Sequence, residues 1–508
     1  RHPLILAQNC HPMKLHRPTM LKRLREEGEW DVCIIGGGAT GLGIALEAAA
    51  SGLRTALIEG RDFASGTSSR STKLVHGGVR YLEQGKMALV SEALKERDRM
   101  MVNAGGHVED CGFLIPVKRR WAQFYYGIGL KLYDLLAGRH RWGRTAWVNR
   151  KDITQRLPHL AQAGFIGAWR YRDGRFNDAG LALGLARTAA QHGCTLVNHC
   201  RAKGFKKEHG RITGVQVNDG PTGEAFTLDA KVVINACGPY SDAVCRLDDP
   251  EHENELRPSQ GIHLVFDADV LKGGDALLIP KTDDGRVLFA VPWLGKVLVG
   301  TTDTPVDTID AEPLALDAEI AFVLNHANRF LGLELKREDI RSVFAGLRPL
   351  IQGRRDHTAK LSRSHEVTAS ASGLVSVRGG KWTTYRKMAE DTVRFLRRKS
   401  GLEFEPVDSS TLPIDMGANT HRGMHPDDPK ALAMAVATAV REEMCATVED
   451  FLARRFRTLF LDARLAQTAA PAVATLLAEA QGKSPTWAEE QSQQFIQLAR
   501  HYLPSNTP

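Results

Sequence analysis

No uncharged apolar run in this sequence is long enough to cross a bilayer. Its longest uncharged stretch, Val32 to Leu46, is too short and too rich in glycine for that. A compact apolar core followed by a cleavage site is also missing from the first residues, so no secretory signal is expected. That opening, Arg1 to Arg25, carries no acid at all, and three readings of it stay open: a disordered leader, a basic membrane-surface arm, or upstream translated sequence. None of the eight cysteines forms a C-x-x-C pair or a zinc spacing, which points to a reducing compartment and no structural metal. Cys33 and Cys237 lie in apolar strand-like runs and read as small core residues. No internal repeat stands out, and no Asp-x-Asp-x-Asp-Gly calcium loop is present. Basic residues are not gathered into one tail or face, and acids interleave with them after residue 25, which argues against a nucleic-acid binder.

What is there is a chain of 508 residues, enough for two or three domains with buried cores. Its net charge of +8 suits an anionic partner: a phosphorylated substrate, an acidic lipid or a nucleic acid. The run Asp31 to Gly43 is the most informative stretch. A β-branched strand leads into Gly36-x-Gly38-x-x-Gly41, a small-residue helix follows, and a second strand, Arg54 to Ile58, ends in Glu59. Gly36 permits the tight turn, Gly38 lets a pyrophosphate approach the backbone, and Gly41 allows close helix–strand packing. The phosphates then sit at the positive end of the helix, and Glu59 is placed to accept from a ribose hydroxyl.

The Ser/Thr/Gly-rich loop from Arg61 to Leu82 follows directly on that site and carries Lys73, His76, Arg80 and Tyr81, so its amides and hydroxyls could line a cofactor. Met87 to Met101 reads as a helix. The segment from Lys118 to Leu136, continued by Arg139-His140-Arg141-Trp142, is aromatic and apolar with basic flanks. Two readings stand for it: a core helix, or a helix lying in an anionic membrane surface. Lys231 to Tyr240 is a buried strand returning to the first sheet. Residues 251–343 turn to strands, with a hairpin turn at Asp283-Asp284-Gly285-Arg286. Ser376 to Arg386 repeats the strand, glycine turn, helix order. Beyond Gly401 four helices are expected (Ala433 to Val440, Val448 to Phe460, Pro471 to Gln481, Trp487 to Tyr502), read as a separate appendage.

The expected fold is α/β: a two-dinucleotide-binding, Rossmann-like domain, an inserted mostly antiparallel β-sheet substrate domain, and a C-terminal helical domain. The expected division is 1–28 basic extension, 29–118, 176–250 and 344–400 nucleotide domain, 119–175 cap segment, 251–343 substrate domain, and 401–508 helical domain.

Five motifs together resemble the FAD-dependent, quinone-linked glycerol-3-phosphate dehydrogenases. They are Ile35 to Gly43; Ser69 with Lys73 to Glu83; Gly300-Thr301-Thr302-Asp303; Gly346-Leu347-Arg348-Pro349-Leu350; and Gly379 to Glu390. The similarity runs from about Asp31 to Lys399, and a helical tail is also expected in that family. In one departure, this chain has Glu47 and Ser51-Gly52 where the family often has an Asp and an Arg-Gly pair. The resemblance implies oxidation of sn-glycerol 3-phosphate to dihydroxyacetone phosphate, with FAD taking the hydride and membrane quinone taking the electrons. It implies FAD contacts from Gly36, Gly38, Gly41, Glu59, Ser68, Ser69, Lys73, His76, Gly77, Thr302, Gly380, Lys381 and Thr383. Arg80, Arg348 and Arg363, with Tyr81, are the implied phosphate ligands, since forked guanidinium donors suit a phosphate dianion. His76 and His263 are the candidate bases, and Lys381 would orient the hydroxyl or stabilise reduced flavin. The lack of a calcium loop favours a bacterial-type enzyme, expected to be cytoplasmic and peripheral on the inner face of the cell membrane. An O₂-using glycerol-3-phosphate oxidase is the nearest alternative, and an FAD-containing RNA-binding protein a distant one. The oligomeric state stays open, a homodimer included.

Overall fold

A computed structural model of the chain describes residues 15–504 apart from 159, 161–163, 281, 283–284, 353–364, 418–422 and 424. The strand Trp30–Ile35 forms the centre of the first sheet because its apolar residues face cover on both sides. It pairs in parallel with Ala225–Asn235 on one side and Thr55–Ile58 on the other. Val375–Gly379 and Thr195–Val197 extend the parallel sheet outward, and His365–Ala369 closes one edge antiparallel. An antiparallel arm, Cys200–Glu208 and Arg211–Asp219, runs onto the far end of Ala225–Asn235. The helix Ala39–Ala50 packs against the helices Tyr385–Lys399 and Asp178–Gln191. A side chain at Gly43 would overlap Tyr385, so the small residues of that helix set how closely the two approach.

The second sheet is larger, and its ladder is antiparallel except where Ala276–Ile279 pairs with Val108–Val117. The expected strands are present as Ser259–Asp267, Ala276–Ile279, Leu288–Trp293 and Lys296–Gly300; Asp283 and Asp284 of the expected turn lie outside the described residues. The sheet also recruits Leu74–Val75, Val108–Val117, Ala146–Asn149 and Gly167–Phe176 from earlier in the chain, and Ser342–Arg348 from later. The chain therefore crosses between the two sheets several times, and the segment from Ser68 to Thr72 is bonded to both sides, its Ser68 carbonyl accepting from Trp382 and its Thr72 hydroxyl pairing with His263.

The C-terminal region is the expected helical domain, and it is docked on the second sheet rather than set apart from it. Its helices Pro429–Glu442, Thr458–Leu461, Ala463–Gln481 and Pro485–Arg500 share one core with Val265, Trp293, Leu298 and Phe344 of the second sheet. The expected helix Val448 to Phe460 is instead broken into a wide turn at Asp450–Arg455 and a short helix.

Candidate active site

The glycine turn has the form a dinucleotide needs. Gly36 sits at φ +111°, and a Cβ there would meet the Ala236 carbonyl 2.7 Å away. A Cβ at Gly41 would overlap the Gly36 carbonyl, so helix and strand pack backbone to backbone. Glu59 ends its strand with both carboxylate oxygens oriented: one accepts from the Gly37 amide at 2.7 Å, the other from the Arg61 amide at 2.8 Å. A carboxylate has about four lone-pair sites, so acceptor capacity remains for a ribose hydroxyl. No acid occupies the first turn of the helix Ala39–Ala50, whose N-terminal field favours phosphate. Ser68 Oγ accepts from the Ala39 amide at 2.9 Å, and Ser69 Oγ is buried with no hydrogen-bond partner among the described residues. These residues fit a pyrophosphate-bearing cofactor.

The loop after Glu59 is tied to the second sheet at several points. Thr67 Oγ1 donates to the Leu347 carbonyl at 2.6 Å, and Thr72 Oγ1 pairs with His263 Nε2 at 3.0 Å. Lys73 does not open onto a cradle. Its ammonium is wholly buried, donating to the Ser69 carbonyl and Asp178 Oδ2, both at 2.6 Å, under the rings of Trp293, Phe344 and Phe460. Burial pulls it down to about 7 despite Asp178.

His76, Tyr81, Lys381 and Thr383 come together. The His76 amide donates to Thr383 Oγ1 at 3.3 Å, and the Lys381 ammonium lies 4.1 Å from the centre of the Tyr81 ring. Gly379 and Gly380 both have positive φ, the conformation that turns the chain so that Lys381 enters this cluster. The Gly77 amide, beside His76, donates to the Tyr133 hydroxyl at 2.8 Å.

On the sheet side, the Arg348 guanidinium is fixed by Thr301 Oγ1 at 3.0 Å, the Thr302 carbonyl at 2.9 Å and Asp303 at 3.2 Å. Arg80 is exposed and bridges to the Gly285 carbonyl at 3.2 Å. His263 is buried, stacked on Phe344, and burial together with Lys73 and Arg348 holds it well below the usual histidine range, hence neutral. The Thr302 hydroxyl is spent inside the sheet, donating to Glu319 at 2.7 Å and accepting from the Ile262 amide. Arg363 lies outside the described residues.

Residues 31–386 match the FAD dependent oxidoreductase family, and residues 377–491 match the C-terminal domain of alpha-glycerophosphate oxidase. The mitochondrial glycerol-3-phosphate dehydrogenase of Bos taurus is 34% identical over 548 aligned positions, covering 96% of this chain and 75% of the relative. The chain belongs to the FAD-dependent glycerol-3-phosphate dehydrogenase family. A solved glycerol-3-phosphate dehydrogenase from Bacillus halodurans, complexed with FAD, superposes with a TM-score of 0.77 at 29% identity, over 97% of this chain and 98% of that one. The L-alpha-glycerophosphate oxidase of Mycoplasma pneumoniae shares the fold, with a TM-score of 0.60 at 16% identity over 77% of this chain and 100% of the other.

Within this FAD-dependent family frame, several residues that sequence reasoning missed surround the site. Tyr133 and Asp173 back the His76 loop, Asp178 holds Lys73 and Ser71, Arg457 holds the Ser69 carbonyl, and Asp62 anchors the segment after Glu59. They lie in different elements, a helix, a strand and a loop, and no spacing in the sequence links them. The signal available was a charge where the periodicity calls for a core residue, as at Arg457 between Phe456 and Phe460.

Proposed function

We propose that the chain oxidises sn-glycerol 3-phosphate to dihydroxyacetone phosphate and passes the electrons to a membrane quinone. The observation that carries the reading is the cluster of His76, Tyr81 and Lys381, assembled beside the nucleotide turn with Arg80 one residue from Tyr81. FAD, when bound, supplies the two-electron acceptor, and the cradle of Gly36, Gly38, Gly41, Glu59, Ser68 and Ser69 would hold it. The secondary alcohol must lose its hydroxyl proton as the hydride leaves C2. His76 is the better base, because its backbone is pinned and the strongly depressed basicity of His263 makes that residue a poor proton acceptor. Lys381 orients the substrate oxygen, with its ammonium steered by the Tyr81 ring. Arg80 and Arg348 grip the phosphate, the second preorganised by its contacts to Thr301, Thr302 and Asp303. Anaerobic mixing with glycerol 3-phosphate in a stopped-flow spectrometer tests this: flavin absorbance near its visible maximum should bleach, and a flavin that stays oxidised would overturn it.

The acceptor and the location rest on the helix Arg120–Ala137. Trp121, Phe124, Tyr125, Ile128 and Leu135 are exposed along its outer face, and Lys118, Arg119, Arg139 and Arg141 flank it. Large exposed apolar patches with basic rims suit an anionic lipid surface. A cavity of about 220 Å³ at the helix's start, lined by Trp121, Tyr126, Phe165, Leu277 and Phe330, is apolar enough for a quinone ring. Among the described residues, no helix is long and apolar enough to cross a membrane. Peripheral attachment to the inner face of a bacterial cell membrane follows from this reading. The match of residues 377–491 to a glycerophosphate oxidase domain favours a second reading, with O₂ as acceptor. Peroxide yield compared with quinone-analogue reduction decides between them.

A further inference from the structure

The segment that carries His76, Arg80 and Tyr81 is fixed from behind at one buried point. The Gly77 amide donates to the Tyr133 hydroxyl at 2.8 Å, and that hydroxyl donates to Asp173 Oδ2 at 2.7 Å. Asp173 Oδ1 lies 3.4 Å from the same Gly77 amide and accepts from Arg97 at 2.8 Å. Arg97 in turn donates to the carbonyls of Arg172 and His140 and lies 4.4 Å from the centre of the Trp142 ring. Tyr133, Asp173 and Arg97 are each no more than 2% exposed. Residue 77 must be glycine for this approach, since a Cβ there would overlap both the Tyr133 hydroxyl and Leu94. The neighbouring His76 amide is fixed from the other side, by Thr383 Oγ1. Two successive amides are thus pinned by two side chains from different elements, with the His76 side chain between them.

We propose that Tyr133 is a positioning residue for His76: its hydroxyl, held by Asp173, sets the Gly77 backbone and therefore the placement of the imidazole. The chemistry suits this role. Burial and the Asp173 charge push the Tyr133 phenol well above its ordinary range, so it stays protonated and donates to the carboxylate while its oxygen accepts from Gly77. Both ends of this relay are short and dry, so the hydroxyl has one orientation. Tyr133 belongs to the helix Arg120–Ala137, whose outer face carries the exposed aromatic residues, so that element's inner face acts on the catalytic loop. The proposal rests on the dehydrogenation reading above.

The test is Tyr133→Phe in the FAD-loaded enzyme, with Tyr171→Phe as control. Tyr171 is equally buried, packs edge-on against Tyr133 at 6.0 Å, and its hydroxyl makes no hydrogen bond to Gly77. Tyr133→Phe should lower the limiting rate of flavin reduction by roughly tenfold or more, as a small misplacement of a reacting group does. The substrate concentration at half-maximal rate and the bound FAD should stay near wild type, while the melting temperature falls modestly for the two buried hydrogen bonds lost. Asp173→Asn, which takes the charged acceptor from the tyrosine, should move the rate the same way. A limiting rate unchanged in Tyr133→Phe, or one lowered equally in Tyr171→Phe, overturns the proposal. A wild-type enzyme that glycerol 3-phosphate fails to reduce overturns the functional reading itself, and so is told apart.

Discussion

Glu47 is a buried acid on the helix Ala39–Ala50, and one of its carboxylate oxygens has no partner among the described residues. Burial pushes it up to about 7, against partial relief from Ser409 and Arg386. The folded chain therefore keeps a proton that the unfolded chain, with an ordinary value of 4.5, has released. Stability is fullest below that ordinary value and falls as pH rises toward 7, by about 3 kcal/mol in all. Glu47→Gln should flatten that part of the curve and leave the protein about 2–3 kcal/mol more stable at pH 8, read by urea unfolding at both ends of the window. Parallel curves for the two proteins would exclude Glu47 as the source. Arg348 gives a different kind of prediction, because its anchors outlast it. Arg348→Ala should weaken glycerol 3-phosphate binding by about 2–3 kcal/mol while leaving the bound flavin spectrum unchanged, and an unaltered KM removes it from the phosphate site. At this scale the sequence was legible wherever chemistry follows from adjacency. The glycine turn, Glu59, and the Gly379-Gly380-Lys381 bend were readable because their geometry is local. Lys73 was not: its loop pointed to a cofactor contact, and only its folded surroundings reveal the Asp178 pair and three aromatic rings.

The helix Arg120–Ala137 shows how one element can carry two roles on two faces. Gly127, Leu130, Tyr133 and Ala137 are buried, and Trp121, Phe124, Tyr125, Ile128 and Leu135 point outward. Charging the outer face should act on lipid binding alone. Phe124→Glu with Ile128→Glu should lower co-sedimentation with anionic vesicles several-fold, at an unchanged rate of flavin reduction by substrate in detergent-free buffer. Vesicle binding equal to wild type would remove this helix as the membrane contact. Tyr133→Phe is expected to give the converse pattern, which separates the faces experimentally. Periodicity marked this helix clearly, but could not say which face was covered, since both are apolar. The C-terminal helices were misread for a related reason. Pro471 suggested a helix start, yet it sits inside the helix Ala463–Gln481, at an exposed position where the missing amide costs least. The break at Asp450–Arg455 had no Gly or Pro to announce it; there Arg454 and Arg455 turn inward to the distant carboxylate of Asp62.

Those arginines join the whole molecule. Asp62 is fully buried three residues past Glu59, and it accepts from Arg454, Arg455 and the Asn198 amide. Arg454 also reaches Asp450 at 2.8 Å, and Asp450 meets His199 at 2.9 Å. Arg457 donates to the Ser69 carbonyl at 2.7 Å. The segment being held is the one that closes the nucleotide turn: Phe63 packs on Gly37, and the Ala64 amide donates to the Gly37 carbonyl at 2.9 Å. The C-terminal unit thus grips the FAD cradle from outside at two places, so its docking and cofactor binding should be linked. Arg455→Met leaves the buried Asp62 with half its charge partners, a loss of about 3–5 kcal/mol by analogy with broken buried pairs. In apo protein the variant should melt earlier, and fluorescence titration should show FAD bound roughly tenfold more weakly. Arg441→Met, at an exposed position on the neighbouring helix, should change neither. An Arg455→Met protein that melts earlier yet binds FAD as tightly as wild type would mean that the arginines merely glue the helical unit in place. Weakened binding with the Arg441 control silent would mean that the cradle, though built from residues 36–69, is completed by Arg454 and Arg455 near the other end of the chain.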